Sequence, residues 1–385
     1  MVRRLLAGLF IPVVSATGAW GDVSLRIVTF NTYQGIANAP ADREASGHLL
    51  TSLDLDGEGP NTSLMPDIVC LQETMSLSEL EAFRDDYLPG YQVLKGPTDD
   101  GFYSNGFFFR GDLALLSFDE FPTPGPRPVV RLILDVPATL EHLVVYNAHF
   151  KAGQTGSDPD TRAQEANALA NRIAIDREFG IDLDDDGTED LFPLYYFCAG
   201  DLNQDDFGDE IIDPLLEGGN NGLPTALHDV RVETLFGAQV PGFLGDTWST
   251  RGSLSRRYDY ILASEDVFEQ FDLNGDETVD QDELNTAGFV YISEDDGGRQ
   301  ASGQANATRI ASDHAPVIVD FTLPAIPGDL DGDGDVDLSD LSALLAHYGT
   351  PSGANPEDGD LDGDGDVDLE DLAALLAHYG NVCDD

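Results

Sequence analysis

The sequence predicts an α/β fold, a two-sheet, four-layer α/β sandwich, followed by a small all-α module. Three observations carry that expectation. Apolar runs of high β-propensity recur as LRIVTFN, DIVCLQE, YQVL, FFFR, LALLSF, VVRLILDV, HLVVYNAHF, LYYFCAG, YDYILAS, FVYIS and APVIVDFTL. So many strands need two packed sheets. Helical stretches intervene: Ser76 to Tyr87 opens with a Ser-x-x-Glu capping pattern (Ser76, Glu79), and Thr161 to Phe179 carries Ala, Leu and Ile at helical spacing. Beyond the Pro/Gly-containing stretch Leu323-Pro324-Ala325-Ile326-Pro327-Gly328 the composition changes to an Asp-dense tail without Lys or Arg.

In chain order, residues 1–21 have the pattern of a secretory signal: Arg3 and Arg4 precede an apolar run from Leu5 to Ala16 and the small residues Thr17-Gly18-Ala19. The expected organisation is a large domain over 22–323, a linker over 324–328 and a module over 329–385, exported or attached at the cell surface. No later apolar stretch approaches the roughly 20 residues of a membrane helix. Only Cys70, Cys198 and Cys383 occur, which excludes a disulfide framework and leaves Cys70 and Cys198 as buried thiols or a single bridge. The formal net charge is −53, and Lys95 and Lys151 are the only lysines. A surface so poor in cations argues against a tight, non-specific grip on long polyanions.

Polar residues close several of the apolar runs. They are Asn31 in VTFNT, Glu73 in DIVCLQET, Asn147 and His149 in VVYNAHF, Asp201 and Asn203 in AGDLN, Asp259 in RRYDYIL, and Asp313 and His314 in SDHAP. Polar groups at strand ends converge on one rim of a sheet. Such a rim would offer carboxylates and amides to a hard divalent cation, and histidines to phosphate oxygens and proton transfer.

In this order the set resembles the endonuclease/exonuclease/phosphatase family of metal-dependent phosphoesterases, over about residues 22–323. The resemblance implies the same two-sheet sandwich and a site for Mg²⁺ or Mn²⁺. It makes Glu73 the principal metal ligand, supported by Asn31 and Asp313. Asp201 would position and polarise the attacking water, Asn203 hold a phosphate oxygen, and Asp259 orient His314, with His149 and His314 flanking phosphorus. Asn147 would touch substrate or order its own loop. Arg162 matches a basic family position after the His149 strand, and Arg251, Arg256 and Arg257 would meet phosphates or balance the acidic surface. Tyr103 and Asn105 fall near a substrate-contacting family position. The implied function is an endonuclease; the alternatives are a phosphomonoesterase or phospholipid phosphodiesterase of sphingomyelinase or inositol-phosphatase type, and a non-catalytic calcium-dependent binding protein.

The stretch 272–283 fits a 12-residue EF-hand loop, with ligand positions at Asp272, Asn274, Asp276, Thr278, Asp280 and Glu283, although Glu277 stands where glycine is usual. Asp182-Leu-Asp184-Asp-Asp186-Gly187 begins similarly but has Pro193 at the twelfth position, and Asp54-Leu-Asp56-Gly57 is weaker still. The tail duplicates the unit GDLDGDGDVDLxDLxALLAHYG, which puts calcium ligands at Asp329, Asp331, Asp333, Asp335, Asp337 and Asp340, then at Asp360, Asp362, Asp364, Asp366, Asp368 and Asp371. It resembles a dockerin, a resemblance that implies calcium binding and a cohesin partner. It departs at Leu338-Ser339 and Leu369-Glu370, where many cohesin-binding dockerins have small hydroxyl residues.

Overall fold

The computed structural model describes residues 22–36, 40–53, 62–101, 103–153, 155–184, 186–204, 212–232, 257–290, 312–331 and 335–380. The signal-like segment, the Asp54–Asp56 loop, Arg251, Arg256, Asp333 and Cys383 lie outside the described residues. The strands are β1 (Val23–Asn31), β2 (Ser52–Leu53), β3 (Thr62–Ser63), β4 (Ile68–Thr74), β5 (Tyr91–Lys95), β6 (Ser104–Arg110) and β7 (Ala114–Phe121). They continue as β8 (Val129–Asp135), β9 (His142–His149), β10 (Tyr195–Asp201), β11 (Leu227–Asp229), β12 (Asp259–Ser264), β13 (Gly288–Val290) and β14 (Val317–Leu323). Apart from the β2–β3 pair they form two six-stranded sheets, ordered β13-β14-β1-β4-β6-β5 and β11-β12-β10-β9-β8-β7.

Strand periodicity explains the layering. Alternate residues of β1 and β4 point to opposite faces, so Leu25, Ile27, Ile68 and Cys70 pack between the sheets against Leu132, Val145, Phe197 and Ile261. Their neighbours Val28, Phe30, Val69 and Leu71 meet Leu49, Leu50, Leu80 and Phe83 from α1 (Pro40–Thr51) and α2 (Leu77–Tyr87). The second sheet turns Val144, Tyr146, Tyr196 and Cys198 outward under Ala166, Leu169, Ala170 and Ile173 of α3 (Asp158–Phe179). Both faces of each sheet are therefore covered, which is why these strands read as near-continuous apolar runs. Cys70 and Cys198 sit in different layers and are free buried thiols.

Ser76 caps α2 as expected, its Oγ accepting the Glu79 N–H at 3.2 Å. Helix α3 starts three residues before the expected Thr161, with Asp158 and Asp160 in its first turn, where carboxylates favour the helix dipole.

Strand direction brings the site together. β1 runs parallel to β4 with Asn31 beside Gln72, β9 runs parallel to β10 with His149 beside Asp201, and antiparallel β12 begins with Asp259 opposite Asp201. No helix among the described residues is long and apolar enough to cross a membrane.

In the tail, helices Leu338–His347 and Leu369–His378 enclose a small core of Ile326, Val336, Leu344, Leu361, Val367 and Leu375. The buried carboxylate of Asp340 accepts backbone N–H groups of Leu330, Asp331 and Asp337, and that of Asp371 those of Leu361, Asp362 and Asp368, so each repeat closes its own loop. The segment expected as a linker is itself docked. Ala325 bridges to Thr139, and the Ile326 N–H donates to Ala138 O at 3.0 Å while the Ile326 side chain fills the tail core.

Candidate active site

Asn31, Glu73, His149, Asp201, Asp259 and His314 meet at the rim where β1, β4, β9 and β10 end and β12 begins. Asp201 is at the centre and nearly fully buried. Its Oδ2 accepts Asn31 Nδ2 at 2.9 Å and lies 3.5 Å from His149 Nε2 and 3.7 Å from His314 Nε2, while its Oδ1 accepts the Asn203 N–H at 2.9 Å. Gly200, just before it, has φ 141°, and a Cβ there would fall 1.9 Å from Ala148 O, so the approach of β10 to β9 at this point requires glycine.

The two histidines are held in different charge states. Burial would lower the His314 pKa, but Asp259 and then Asp201 outweigh it and raise the value to about 9. His314 Nδ1 is 2.6 Å from Asp259 Oδ2, which leaves its Nε2–H turned toward Asp201. Burial, with the charges of Arg127 and His314, pushes His149 well below its ordinary value, so it is neutral. Asp201 is pushed up to about 7, by burial first and by Asp259. Ser312 ties the last motif to the first: its Oγ donates to Asn31 O at 2.6 Å and accepts the His314 N–H at 3.0 Å.

Backbone conformation marks the same place. Tyr33, Gln34, Glu73 and Asn203 have φ of 45°, 68°, 59° and 51°, each costing on the order of 1 kcal/mol for a residue with a side chain. Such strain clusters where a site over-determines its geometry. Glu73 Oε2 accepts the Gln34 N–H at 2.9 Å and Oε1 accepts Asn31 Nδ2 at 3.3 Å. One Asn31 amide thus holds both carboxylates, Asp201 turned toward the two histidines and Glu73 offering the carboxylate oxygens that suit a hard divalent cation. Asp313, partly exposed, has Oδ1 3.7 Å from His314 Nε2.

Five expected roles need correction. Asn31 turns its amide nitrogen to the carboxylates and its Oδ1 to the Tyr33 N–H, so it orients the ligands instead of offering an oxygen. Asn147 is fully buried behind the site, where its amide bonds Gln72, Leu71 O and Gly106 O, out of reach of substrate. Arg162 is buried and donates to the carbonyls of Lys151 and Gly153, holding the loop after β9. Arg257 is buried in a two-bond pair with Asp229, at 2.6 Å each, its guanidinium 4.0 Å from the Tyr260 ring centroid. Asn105 is likewise buried, donating to Pro128 O.

Arg127 is a functional residue that sequence reasoning missed. Its Nε donates to His149 O at 3.1 Å, its Nη2 to Phe150 O at 2.9 Å, and its Nη1 pairs with Asp100 at 3.0 Å, so one buried cation fixes the backbone at His149. Only its place between two prolines, in PRP, sets it apart in the sequence.

Elsewhere among the described residues, carboxylate groups that gather ligand atoms within 4.8 Å of one another include Asp182, Asp184 and Asp190; Asp329, Asp331 and Asp340; Asp335, Asp337 and Asp340; and Asp360, Asp362 and Asp371. The loop at 272–283 adopts EF-hand-like contacts, with Asp272 accepting N–H groups from Gly275, Asp276 and Glu277, and Glu283 those from Leu273, Asn274 and Asp280. Glu277 takes the left-handed conformation a glycine would, at φ 67°.

The sequence profile of the Endonuclease/Exonuclease/phosphatase family matches residues 28–314, and that of the Dockerin type I domain matches residues 327–378. No curated protein sequence gives a significant match. Similar solved structures include a humanized TDP2 of D. rerio, at 17% identity and TM-score 0.47, covering 78% of this chain and 99% of that one. The human nocturnin catalytic domain with bound sulfate has 14% identity and TM-score 0.47, covering 78% and 96%. An endonuclease/exonuclease/phosphatase from Bacteroides vulgatus has 16% identity and TM-score 0.47, covering 78% and 100%.

Proposed function

Because the chain belongs to the endonuclease/exonuclease/phosphatase family of metal-dependent phosphoesterases, we propose that its rim hydrolyses phosphodiester bonds with Mg²⁺, as a secreted endonuclease. One observation carries the reading: a protonated His314 and a neutral His149 lie 3.7 and 3.5 Å from the same oxygen of Asp201. Water attack on a phosphoester needs a carboxylate for the water and donors for the charge that grows on phosphoryl oxygens. Asp201 takes the first role. His314 donates its Nε2–H to a phosphoryl oxygen, with Asp259 anchoring the ring from behind. His149 holds a second oxygen from the opposite side. Asn203, whose Nδ2 already donates to Phe150 O at 3.1 Å, has a second amide N–H to give the phosphate. Glu73, with Asp313, would hold the Mg²⁺, which supplies Lewis-acid charge to the phosphoryl group when bound.

The internal pairing of Arg162 and Arg257 favours a second reading, a phosphomonoesterase or phospholipid phosphodiesterase, since these cations do not reach out to a polyanion. Purified protein with Mg²⁺, offered plasmid DNA, RNA, sphingomyelin and inositol phosphates in parallel, separates the two. Nicking of plasmid at the highest kcat/KM supports the nuclease. Cleavage of the lipid or the inositol phosphates alone replaces it, and inactivity on all four removes both.

The dockerin type I module carries calcium loops and implies a cohesin partner. Export through residues 1–21, and calcium in the loop over 272–283, belong to the same proposal.

A further inference from the structure

Gln72 is fully buried, next to Glu73, and no step of the hydrolysis uses it. Its surroundings are unusual for a strand residue. On β4 and β6, Leu71 pairs with Gly106 and Thr74 with Ser104, which leaves Gln72 and Glu73 opposite Asn105 alone. This is a β-bulge, and Glu73 occupies its left-handed position at φ 59°. In a regular strand Gln72 and Glu73 would point to opposite faces. Here Gln72 reaches into the gap between the sheets while Glu73 bonds Asn31 and Gln34 at the rim.

The bulge is held from the other sheet, by Asn147 of β9, and from the neighbouring strand β1, by Thr29. Gln72 Nε2 donates to Asn147 Oδ1 at 2.8 Å and to Thr29 Oγ1 at 3.1 Å. Asn147 Nδ2 in turn donates to Leu71 O at 3.0 Å and Gly106 O at 2.9 Å, the ladder pair that immediately precedes the bulge. From the rim side, Thr32 donates to Gln72 O through both its N–H and its hydroxyl. A left-handed Glu73 would relax to ordinary strand geometry, carrying its carboxylate off the rim, unless these contacts opposed it.

We propose that the Gln72–Asn147 amide bridge is a positioning device that fixes the Glu73 carboxylate for the divalent cation and so sets metal affinity. This rests on the reading of Glu73 as the metal ligand. Removing the Gln72 amide leaves Asn147 Oδ1 buried without its partner, and the bulge loses its tie to the second sheet.

The test is Mn²⁺ binding to the full chain in saturating Ca²⁺, followed by electron paramagnetic resonance of free Mn²⁺. Gln72→Met keeps the volume and deletes the amide; it should weaken the Mn²⁺ Kd about tenfold, as loss of a group orienting a ligand does, with stoichiometry unchanged. Cys70→Ala, on the same strand and in the same core, should lower Tm and leave Kd within about twofold, since a packing loss alone does not re-aim Glu73. If Gln72→Met does not fold, Thr29→Val removes one partner of the amide, with about a threefold weakening expected for one net hydrogen bond. Unchanged Kd in the folded Gln72 or Thr29 variant, or equal weakening by Cys70→Ala, overturns the proposal. Glu73→Gln should lose one Mn²⁺ site; retention of that site would instead remove the metal role of Glu73, and the positioning role with it.

Discussion

The active-site rim and the tail loops both crowd carboxylates together, but the rim answers the repulsion with its own side chains, whereas the tail has almost none to use. At the rim, Asp259 faces the charged ring of His314, and Asp201 accepts from the Asn31 amide and the Asn203 N–H. In the tail, Asp360, Asp362 and Asp371 converge with backbone N–H groups as donors, and no Lys or Arg occurs after residue 327. A site balanced by protein groups can stand without its cation. One balanced only by backbone dipoles couples its folding to metal.

The largest test of this contrast is mutational. Glu73→Gln and His314→Ala should each cut turnover by at least about 100-fold, through loss of the metal charge site and of a transition-state donor. Neither should disturb the tail. Chelation with EGTA should do the reverse in structure: the tail helices melt, because calcium at about 100 Kd contributes some 2.7 kcal/mol to the fold, while the sandwich keeps its strands. Circular dichroism with and without calcium measures it, and a tail that stays helical in chelator breaks the comparison.

Acidity sharpens the picture next. In the metal-free protein His314 is raised from its ordinary 6.5 to about 9, so its contribution to stability is complete below 6.5 and disappears as pH rises through 9. Asp201, raised from 3.8 to about 7, contributes fully below 3.8 and loses its contribution as pH rises through 7. His149, held well below 6.5, works the other way, gaining stability as pH rises to 6.5, so thermal unfolding of the sandwich in chelator should occur at lower temperature as pH increases from 6.5 to 9. Turnover should follow a different course, rising toward pH 7 as Asp201 ionises and falling above pH 9 as His314 loses its proton. A rate that kept rising beyond pH 9 would deny His314 its donor role.

The smallest expected effect concerns salt. Arg127, Arg162 and Arg257 are spent inside the protein, so between 50 and 200 mM NaCl kcat/KM should fall less than about tenfold, where a nuclease making many phosphate contacts loses about 10³-fold or more.

Much of the rim was legible because each of its residues interrupts an apolar run, and strand direction does the rest: His149 and Asp201 end neighbouring parallel strands, so sequence position becomes spatial position. The tail loops were legible because their ligands are consecutive in the chain. What stayed hidden depends on contacts between distant segments. Nothing in TRAQ or RRYDY says whether an arginine turns outward or onto a carbonyl, and Arg162 and Arg257 turned inward. Simple alternation would turn Glu73 to the face opposite Gln72, and the bulge that brings its carboxylate to the rim comes from the pairing of Leu71 with Gly106 and of Thr74 with Ser104. LPAIPG reads as a spacer, yet Ile326 belongs to the tail core and its N–H to Ala138 of the sandwich.

That last contact decides which way the enzyme looks. β14 ends at Leu323 beside Val23, the start of β1, while the rim lies at the far end of β1, roughly 25 Å away along the strand. Thr139 follows the end of β8, and antiparallel pairing puts Asp135 beside His142 and far from His149. The tail therefore grips the sandwich at its base. A chain held by its tail carries its catalytic rim at the end of the sandwich away from the Ala325–Thr139 bridge where the two parts meet.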